Sequence, residues 1–183
     1  MTMNMLFAGF GGQGILFAGK VAAYTGLLDE KQVTWLPSYG PEMRGGTANC
    51  SVCLSEETIG SPLVVNPNLL LAMNGPSYHR FIQTVQMDGI TVFDSSLITD
   101  AVYQKGIHQY GIPATKMADD NQLKGLANMI CLGYVLQLTG FTSKESLENA
   151  IEHTVPPKKA HLLEKNKQAF LLGYNYQGKE LSK

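Results

Sequence analysis

The chain has 183 residues, enough for one compact domain and too few for two large ones. Its formal net charge of −1 gives no overall field that would attract nucleic acid or an anionic membrane. Charged residues make up only 16% of it, which indicates either a well-filled core or a surface covered by partner subunits. The N-terminal residues lack the basic region of a signal peptide and no stretch has the length of a membrane-spanning helix, so we expect a cytoplasmic protein.

The first part of the chain predicts three strands, one helix and two glycine-rich connections. MNMLFAGF (3–10) is a short apolar run typical of a buried strand, and GILFAGKVAAYTGLLDE (14–30) has apolar residues at helical spacing. QVTWLP (32–37) predicts a second strand that its proline stops, and TANCSVCLS (47–55) predicts a third. The turn residues of SYGPEMRGG (38–46) predict a loop between them.

The middle of the chain continues this alternation. LLLAMN (69–74) predicts a buried strand, and GPSYHRFIQTVQ (75–86) predicts a helix with proline in its first turn. GITVFDSS (89–96) predicts another strand, and we expect one more short strand around GIPATKM (111–117).

A long, largely buried helix is predicted over DNQLKGLANMICLGYVLQLTG (120–140). Asp120 or Asn121 is expected to cap its start, because a short polar side chain can accept a hydrogen bond from the free N–H groups there. Gly140 is expected to close it, because glycine adopts the left-handed conformation that ends many helices.

Two more helices are predicted after this one. TSKESLENAIEHT (142–154) places Glu145 in the capping-box position relative to Thr142. KAHLLEKNKQAFLLGYNY (159–176) follows a pair of prolines and predicts the last helix. We interpret its lysines as a solvated face: Lys158, Lys159, Lys165 and Lys167.

The order of these elements predicts the fold class. Strands that alternate with helices favour a three-layer α/β/α arrangement around a parallel or mixed central sheet. No repeat or long linker divides the chain, so we expect a single domain over residues 1–183.

The three cysteines are expected to be structural. Cys50 and Cys53 form a C-x-x-C inside the predicted strand 47–55, where positions three apart face opposite sides of the sheet. An iron–sulfur cluster needs four ligands, and Cys131 alone does not complete the set. The four histidines show no paired spacing, so we expect this chain to bind no metal.

The stretch GFGGQGILFAGK (9–20) matches two nucleotide fingerprints, and neither is complete. The dinucleotide fingerprint also needs an acid at the end of the second strand, and Asp29, Glu30 and Glu42 lie elsewhere. The P-loop needs a hydroxyl after its lysine, where Val21 stands. What remains is a strand that ends in glycines before a helix, which presents backbone N–H groups to an anion. The alternative is that the glycines serve only a tight turn.

The second glycine-rich loop contains Arg44, one of two arginines in the chain. Gly45 and Gly46 leave its backbone free to approach a ligand. Loops at the carboxyl ends of neighbouring strands border one crevice, so we expect the two loops to line one pocket. Arg44 could there hold a phosphate or carboxylate with two hydrogen bonds, or it could pair with Glu42 or stand exposed.

Four segments of the chain resemble the gamma subunit of the 2-oxoacid:ferredoxin oxidoreductases. They are GFGGQGILFAGKVAA, SYGPEMRGGTANCSVCLS, IGSPLVVNPNLLLAMN and ITVFDSS, within a span from Leu6 to about Gly140. The combination of GGQG with SYGPEMRGG is more specific than either nucleotide fingerprint. The resemblance implies a subunit of an enzyme that oxidatively decarboxylates a 2-oxoacid, reduces ferredoxin and releases an acyl-coenzyme A.

The resemblance also implies how the work is divided among subunits. Thiamine diphosphate and the iron–sulfur clusters would lie on alpha, beta and ferredoxin-like delta subunits, with an external ferredoxin as electron acceptor. Coenzyme A would be a co-substrate on the gamma side of the site. This chain would bind no cofactor alone, contact no nucleic acid or membrane and be inactive alone; a homodimer stays open for the isolated chain.

The motif positions give the candidate binding residues. The resemblance implies that the following take part in binding coenzyme A: Gly11, Gly12, Gln13, Gly14, Tyr39, Gly40, Glu42, Arg44, Gly45 and Gly46. No catalytic residue is assigned to this chain. The segment SYGPEMRGGTAN looks most like the 2-oxoglutarate enzymes, with 2-oxoisovalerate second and pyruvate third. A stand-alone nucleotide-binding regulator with the same loops is the alternative.

Overall fold

A computed structural model describes residues 2–39 and 47–182 of the chain. In these residues one six-stranded sheet has the order β2-β3-β1-β4-β5-β6. The strands are β1 Met3–Phe10, β2 Gln32–Tyr39, β3 Thr47–Ser55, β4 Leu69–Ala72, β5 Ile90–Asp94 and β6 His108–Ile112. β1, β4, β5 and β6 are parallel, whereas β3 runs antiparallel to both β1 and β2, so the sheet is mixed.

Six α-helices occur in the same described ranges. They are α1 Ile15–Leu28, α2 Gly75–Phe81, α3 Ala114–Asp120, α4 Ala127–Thr139, α5 Lys144–Thr154 and α6 Leu163–Tyr174. Two 3-10 turns, Ile82–Thr84 and Pro157–Leu162, follow α2 and precede α6. None of the helices in the described part of the chain is long and apolar enough to cross a membrane.

The sheet has a hydrophobic core on each face, because alternate side chains of a strand point to opposite sides. On β1, Met5 and Phe7 belong to the larger core, which α1, α4, α5 and α6 cover. Leu6 belongs to the smaller core, which contains Tyr78 of α2. Helices on both faces confirm the expected three-layer α/β/α class.

Two glycines allow α4 and α6 to cross in backbone contact. A Cβ atom at Gly173 would collide with the carbonyl oxygen of Ile130, and one at Gly133 would collide with that of Phe170. Both glycines therefore serve close packing.

The sequence predicted that Pro37 ends the second strand, and this prediction was wrong. β2 continues to Tyr39, and Pro37 pairs with Cys50 of β3. β2 is an edge strand bonded only to β3, and a proline is tolerated at an edge because outward N–H groups need no partner in the sheet.

The strand expected over 111–117 was placed too late. β6 ends at Ile112, and Ala114 already begins α3. The long helix expected from Asp120 starts only at Ala127, because Gln122 (φ 57°) and Gly125 (φ 83°) take left-handed conformations that interrupt it. Its predicted end at Gly140 is confirmed, with a left-handed φ of 57°.

The start of α5 also differs from the capping box predicted at Thr142. The hydroxyl oxygen of Ser143 accepts a hydrogen bond from the N–H of Ser146 at 2.9 Å, so Ser143 is the cap. Thr142 instead donates its hydroxyl hydrogen to Asp29 at 2.7 Å, which ties this helix to the end of α1. The last helix was predicted over 159–176 but begins at Leu163. Residues 159–162 belong instead to the 3-10 turn Pro157–Leu162.

Candidate functional site

Residues 11–14, which we call the glycine loop, connect the carboxyl end of β1 to α1. Gly12 has φ +100° and Gly14 has φ +74°, conformations that L side chains rarely adopt. A Cβ at Gly14 would also lie 2.5 Å from Nδ2 of Asn128, whereas nothing lies within 4 Å of one at Gly12. Glycine is therefore required at Gly14 by both conformation and space, and at Gly12 the loop faces open space.

Gln13 holds the glycine loop in place with its side chain. Its Oε1 accepts hydrogen bonds from the N–H of Phe10 at 2.7 Å and from Nδ2 of Asn74 at 3.2 Å. Its Nε2 donates to the carbonyl oxygen of Met73 at 2.8 Å. These contacts fasten the loop to the end of β4. In these three contacts, one of the two hydrogens on Nε2 has no acceptor.

The end of β2 returns to the same edge of the sheet as the glycine loop. The two strands are not neighbours, since β3 lies between them, but Phe10 pairs with Thr47 and Tyr39 pairs with Ala48. Tyr39 and the glycine loop consequently line one cavity of about 220 Å³, which we call the Tyr39 cavity.

Half of the candidate binding residues are placed by the structure. Gly11, Gly12, Gln13, Gly14 and Tyr39 come together at this edge of the sheet. The remaining candidates lie outside the described residues: Gly40, Glu42, Arg44, Gly45 and Gly46.

A second cavity, of about 290 Å³, lies on another side of the glycine loop and contains Thr115 and Lys124; we call it the Thr115 cavity. Gly12 and Gln13 form its border with the loop. The buried carboxylate of Asp94 accepts hydrogen bonds from both the N–H and the hydroxyl of Thr115. The end of β5 therefore fixes Thr115 where it faces this cavity.

A third cavity, of about 300 Å³, borders Gly12 and Gly14 and contains Asn128, Lys159 and Asn166; we call it the Asn166 cavity. Lys159 was interpreted from the sequence as part of a solvated face. The structure shows an exposed lysine that also lines this cavity.

Sequence reasoning missed Lys124, Asn128, Lys159 and Asn166, because none of them stands in a local motif. Lys124 stands just before α4 and Asn128 in it, whereas Lys159 lies in the Pro157–Leu162 turn and Asn166 in α6. Only tertiary packing brings them to the cavities beside the glycine loop. Asn128 carried the one available signal, as an amide side chain inside the apolar run of α4.

The cysteines lie as the sequence predicted, buried and on opposite faces of β3. Sγ of Cys50 lies 3.8 Å from the carbonyl oxygen of Ile15 in α1, and Sγ of Cys53 lies 3.9 Å from that of Ser61. Burial raises the pKa of Cys50 to about 12 and raises that of Cys131 as well, so both hold their protons at neutral pH. In the described ranges, no three His, Cys, Asp or Glu side chains come together as a metal site.

Comparison with known proteins agrees with the motifs and the fold. The family model for pyruvate ferredoxin/flavodoxin oxidoreductase matches residues 4–176. The 2-oxoglutarate synthase subunit KorC of Methanocaldococcus jannaschii is 36% identical over 177 residues, which cover 95% of this chain and 93% of that protein. The ketoisovalerate oxidoreductase subunit VorA of Methanothermobacter thermautotrophicus is 39% identical over 159 residues, which cover 85% of this chain but 32% of that longer protein.

Solved structures share the whole fold. The gamma subunit of a keto/oxoacid ferredoxin oxidoreductase from Geobacter sulfurreducens has a TM-score of 0.80 at 29% identity and covers 94% of this chain and 96% of its own. At 22% identity, a 2-oxoglutarate:ferredoxin oxidoreductase from Magnetococcus marinus, solved with 2-oxoglutarate, coenzyme A and succinyl-CoA, shows the same fold with a TM-score of 0.83 over 97% of this chain and 32% of that one. The chain therefore belongs to the pyruvate ferredoxin/flavodoxin oxidoreductase family, as a gamma subunit of a 2-oxoacid:ferredoxin oxidoreductase.

Proposed function

We propose that this gamma subunit works in a cytoplasmic complex that oxidatively decarboxylates 2-oxoglutarate, transfers the acyl group to coenzyme A and passes the electrons to ferredoxin. The choice of 2-oxoglutarate rests on the similarity to KorC, which extends over almost the full length of both chains. We further propose that the glycine loop binds a phosphate of coenzyme A. The family assignment does not support the alternative of a stand-alone regulator.

The state of the glycine loop is the observation that carries the coenzyme A proposal. Among the described residues, the N–H groups of Gly11, Gly12 and Gly14 have no hydrogen-bond partner. They precede α1, whose first turn adds further free N–H groups and the positive end of the helix dipole. Free N–H groups at a helix start that open onto cavities favour an anion such as a phosphate.

The partner subunits are proposed to carry thiamine diphosphate and the iron–sulfur clusters. The donor set of this chain does not fit a cluster, because the thiols of Cys50 and Cys53 lie on opposite faces of β3. Alpha, beta and ferredoxin-like delta chains are the proposed partners, with an external ferredoxin as acceptor.

The test is reconstitution of the complex from this chain and its partners, with a change in the glycine loop. Gly12→Ala places a methyl group in open space at a φ of +100°, so it disturbs the loop conformation without a clash. We expect it to raise the apparent Michaelis constant for coenzyme A about 10-fold. The decarboxylation half-reaction, which needs no thiol, should be unchanged.

Gly60→Ala is the matched control, because a Cβ there also meets nothing within 4 Å and no positive φ is involved. It should leave both half-reactions as in the wild type. An unchanged coenzyme A constant in a stably assembled Gly12→Ala complex would refute the loop's role. Faster turnover of pyruvate or 2-oxoisovalerate than of 2-oxoglutarate would refute the substrate assignment.

A further inference from the structure

β2 is an edge strand with little of the usual protection against other strands. In the described part of the chain no strand lies beyond it, and none of its residues is buried. Natural edge strands are often kept apart from other strands by charged side chains, above all lysine. β2 has no charged residue, and neither has its neighbour β3. Its one protecting residue is Pro37.

The backbone groups of Pro37 point away from the sheet. The direction of these groups alternates along a strand. The carbonyl oxygen of Asn4 accepts from the N–H of Asn68, just before β4, so the groups of Phe7, three residues further along β1, point toward β3. Cys50 pairs with Phe7, so its groups point toward β1 and away from β2. Pro37 lies opposite Cys50 in β2, and its own groups therefore point outward.

Val33 and Trp35 share this outward direction, because they stand four and two residues before Pro37. Each of them therefore presents one N–H donor and one carbonyl acceptor at the free edge of the sheet. Lys31 is the next residue in this outward series, but its N–H already donates to the carbonyl oxygen of Gly26 at 2.8 Å. The free edge thus has two donors, bounded on each side by a residue that cannot donate.

Apolar side chains flank this edge on both faces of the sheet. On one face Trp35 lies beside α1, since a Cβ at Gly19 would be 3.5 Å from its Nε1. On the other face Leu36 pairs with Ser51, whose Oγ accepts from the N–H of Val64 at 3.1 Å, so segment 61–65 lies beside it. Most of the exposed large hydrophobic side chains in the described ranges lie on β2, at the end of α1 or in segment 61–65: Leu27, Trp35, Leu36, Tyr39, Leu63 and Val65. An uncharged apolar surface of this kind is typical of the centre of a protein interface.

We propose that β2 pairs with β2 of a second copy of this chain, antiparallel across a two-fold axis, so that the two sheets become one. Pairing centred on Thr34 brings Val33 of each copy opposite Trp35 of the other and forms four backbone hydrogen bonds. In the same register Pro37 lies opposite Lys31 of the second copy. The two residues without a free donor thus face each other, and no N–H is left unpaired by the proline.

The chemistry of the edge favours a second copy as its occupant. A two-fold interface uses the same surface twice, so that surface must be complementary to itself. Equal numbers of outward donors and acceptors at Val33 and Trp35 meet this condition, and the absence of charge from β2 removes the repulsion between like side chains. β2 runs parallel to β1, so its far end at Tyr39 lies beside the glycine loop and the paired residues lie away from it. The pairing therefore leaves the glycine loop accessible.

The first test is the association of the full chain, measured by sedimentation velocity over a range of concentrations. We expect a dimer that dissociates on dilution. Hydrogen exchange followed by NMR should show slow exchange of the Val33 and Trp35 amides in the dimer and fast exchange in the monomer, because only the second copy supplies their acceptors.

A matched pair of variants tests the backbone contact itself. Trp35→Ala and Trp35→Pro both lose the indole ring, but only Trp35→Pro also loses the outward N–H. This N–H does not bond to β3, so the strand should accept the proline there as it does at Pro37. Because each copy loses one donor, we expect the dimer dissociation constant of Trp35→Pro to be at least about 10-fold higher than that of Trp35→Ala.

A second pair tests the surface around the edge. Leu36→Glu places a carboxylate on the edge of each copy and should raise the dissociation constant at least about 10-fold. Met87→Glu is its control, because Met87 is 75% exposed and stands before β5, three strands away from β3 in the sheet. It should associate as the wild type does.

A chain that stays monomeric at every concentration, with fast exchange at Val33 and Trp35, would overturn the proposal. If these two amides become protected only in the reconstituted complex, while the isolated chain is monomeric, the edge belongs to a different subunit and the second copy is likewise refuted. Equal dissociation constants for Trp35→Pro and Trp35→Ala would show that the copies meet elsewhere. None of these measurements uses coenzyme A, so the proposed function stands or fails separately.

Discussion

Asn74 donates a hydrogen bond from Nδ2 to Oε1 of Gln13 at 3.2 Å, and this contact links the start of α2 to the glycine loop. Oδ1 of the same Asn74 side chain accepts from the N–H of Ser77 at 2.8 Å and caps α2. One amide therefore performs two separable tasks, with its oxygen on the helix and its nitrogen on the loop. Gln13 therefore positions the loop, and its part in binding coenzyme A stays a prediction.

Asn74→Asp separates the two tasks, because aspartate keeps the capping oxygen and loses the N–H donor. We expect the complex with this variant to show a coenzyme A constant raised about 5-fold, since the loop loses one of its anchors. Thermal unfolding of the isolated chain should change less than in Asn74→Ala, which also loses the cap and about 1 kcal/mol with it. A wild-type coenzyme A constant in Asn74→Asp would show that the contact does not position the loop.

The glycine loop and its helix could be predicted because their signals are local. Glycines after an apolar strand, and apolar residues at helical spacing from Ile15, place β1, the loop and α1 within a residue or two. Gly140 marked the end of α4 for the same reason, since its left-handed conformation is a property of a single residue.

The strand order and the cavities could not be predicted, because they depend on contacts distant in the sequence. The insertion of β3 between β1 and β2 follows from antiparallel pairing along the full length of β3, which no local pattern reveals. Asn166 comes to the glycine loop across more than 150 residues of sequence, through the packing of α6 on α4. The predicted end of the second strand at Pro37 was wrong for a related reason, since only the sheet order shows that β2 is an edge strand.

Alkaline pH should destabilise the fold through Cys50. Burial raises the pKa of this thiol from 9.0 to about 12 in the folded chain, so the unfolded chain releases the proton first. The stability from the neutral thiol is complete below pH 9 and is lost as the pH rises toward 12. Denaturant unfolding at pH 8 to 10.5 should therefore show a decline, with a contribution from Cys50 of about 1 kcal/mol per pH unit above 9.

Cys50→Ala provides the control for this pH dependence. It should lower stability at pH 8 through lost packing but reduce the slope above pH 9. Burial also raises the pKa values of Cys131 and Tyr134, so part of the slope should remain. A slope in Cys50→Ala equal to that of the wild type would contradict the prediction.

Gly173→Ala should be among the most damaging single substitutions in α6. Its methyl group would meet the carbonyl oxygen of Ile130, a backbone atom that moves only if α4 shifts. We expect a loss of about 3 kcal/mol in the free energy of unfolding, measured by denaturant titration. Gly60→Ala, where the new methyl group meets nothing within 4 Å, should change it by less than about 0.5 kcal/mol. Equal stability of the two variants would show that α4 and α6 do not pack as closely as described.

Arg44 carries the last prediction, which rests on the sequence motif because this residue lies outside the described residues. A guanidinium that meets a phosphate of coenzyme A contributes about 1.5–3 kcal/mol, so Arg44→Ala should raise the apparent coenzyme A constant roughly 10- to 100-fold. The coenzyme-independent half-reaction should be nearly unchanged. Arg44→Lys should recover only part of the loss, because an ammonium group does not make the two-point contact.

If Arg44 instead pairs with Glu42, then Glu42→Ala should be equally damaging, and both variants should lower the thermal stability of the complex. Coenzyme A dependence and thermal unfolding, measured side by side, separate these cases, and a wild-type coenzyme A constant in a stable Arg44→Ala complex would rule out the phosphate contact.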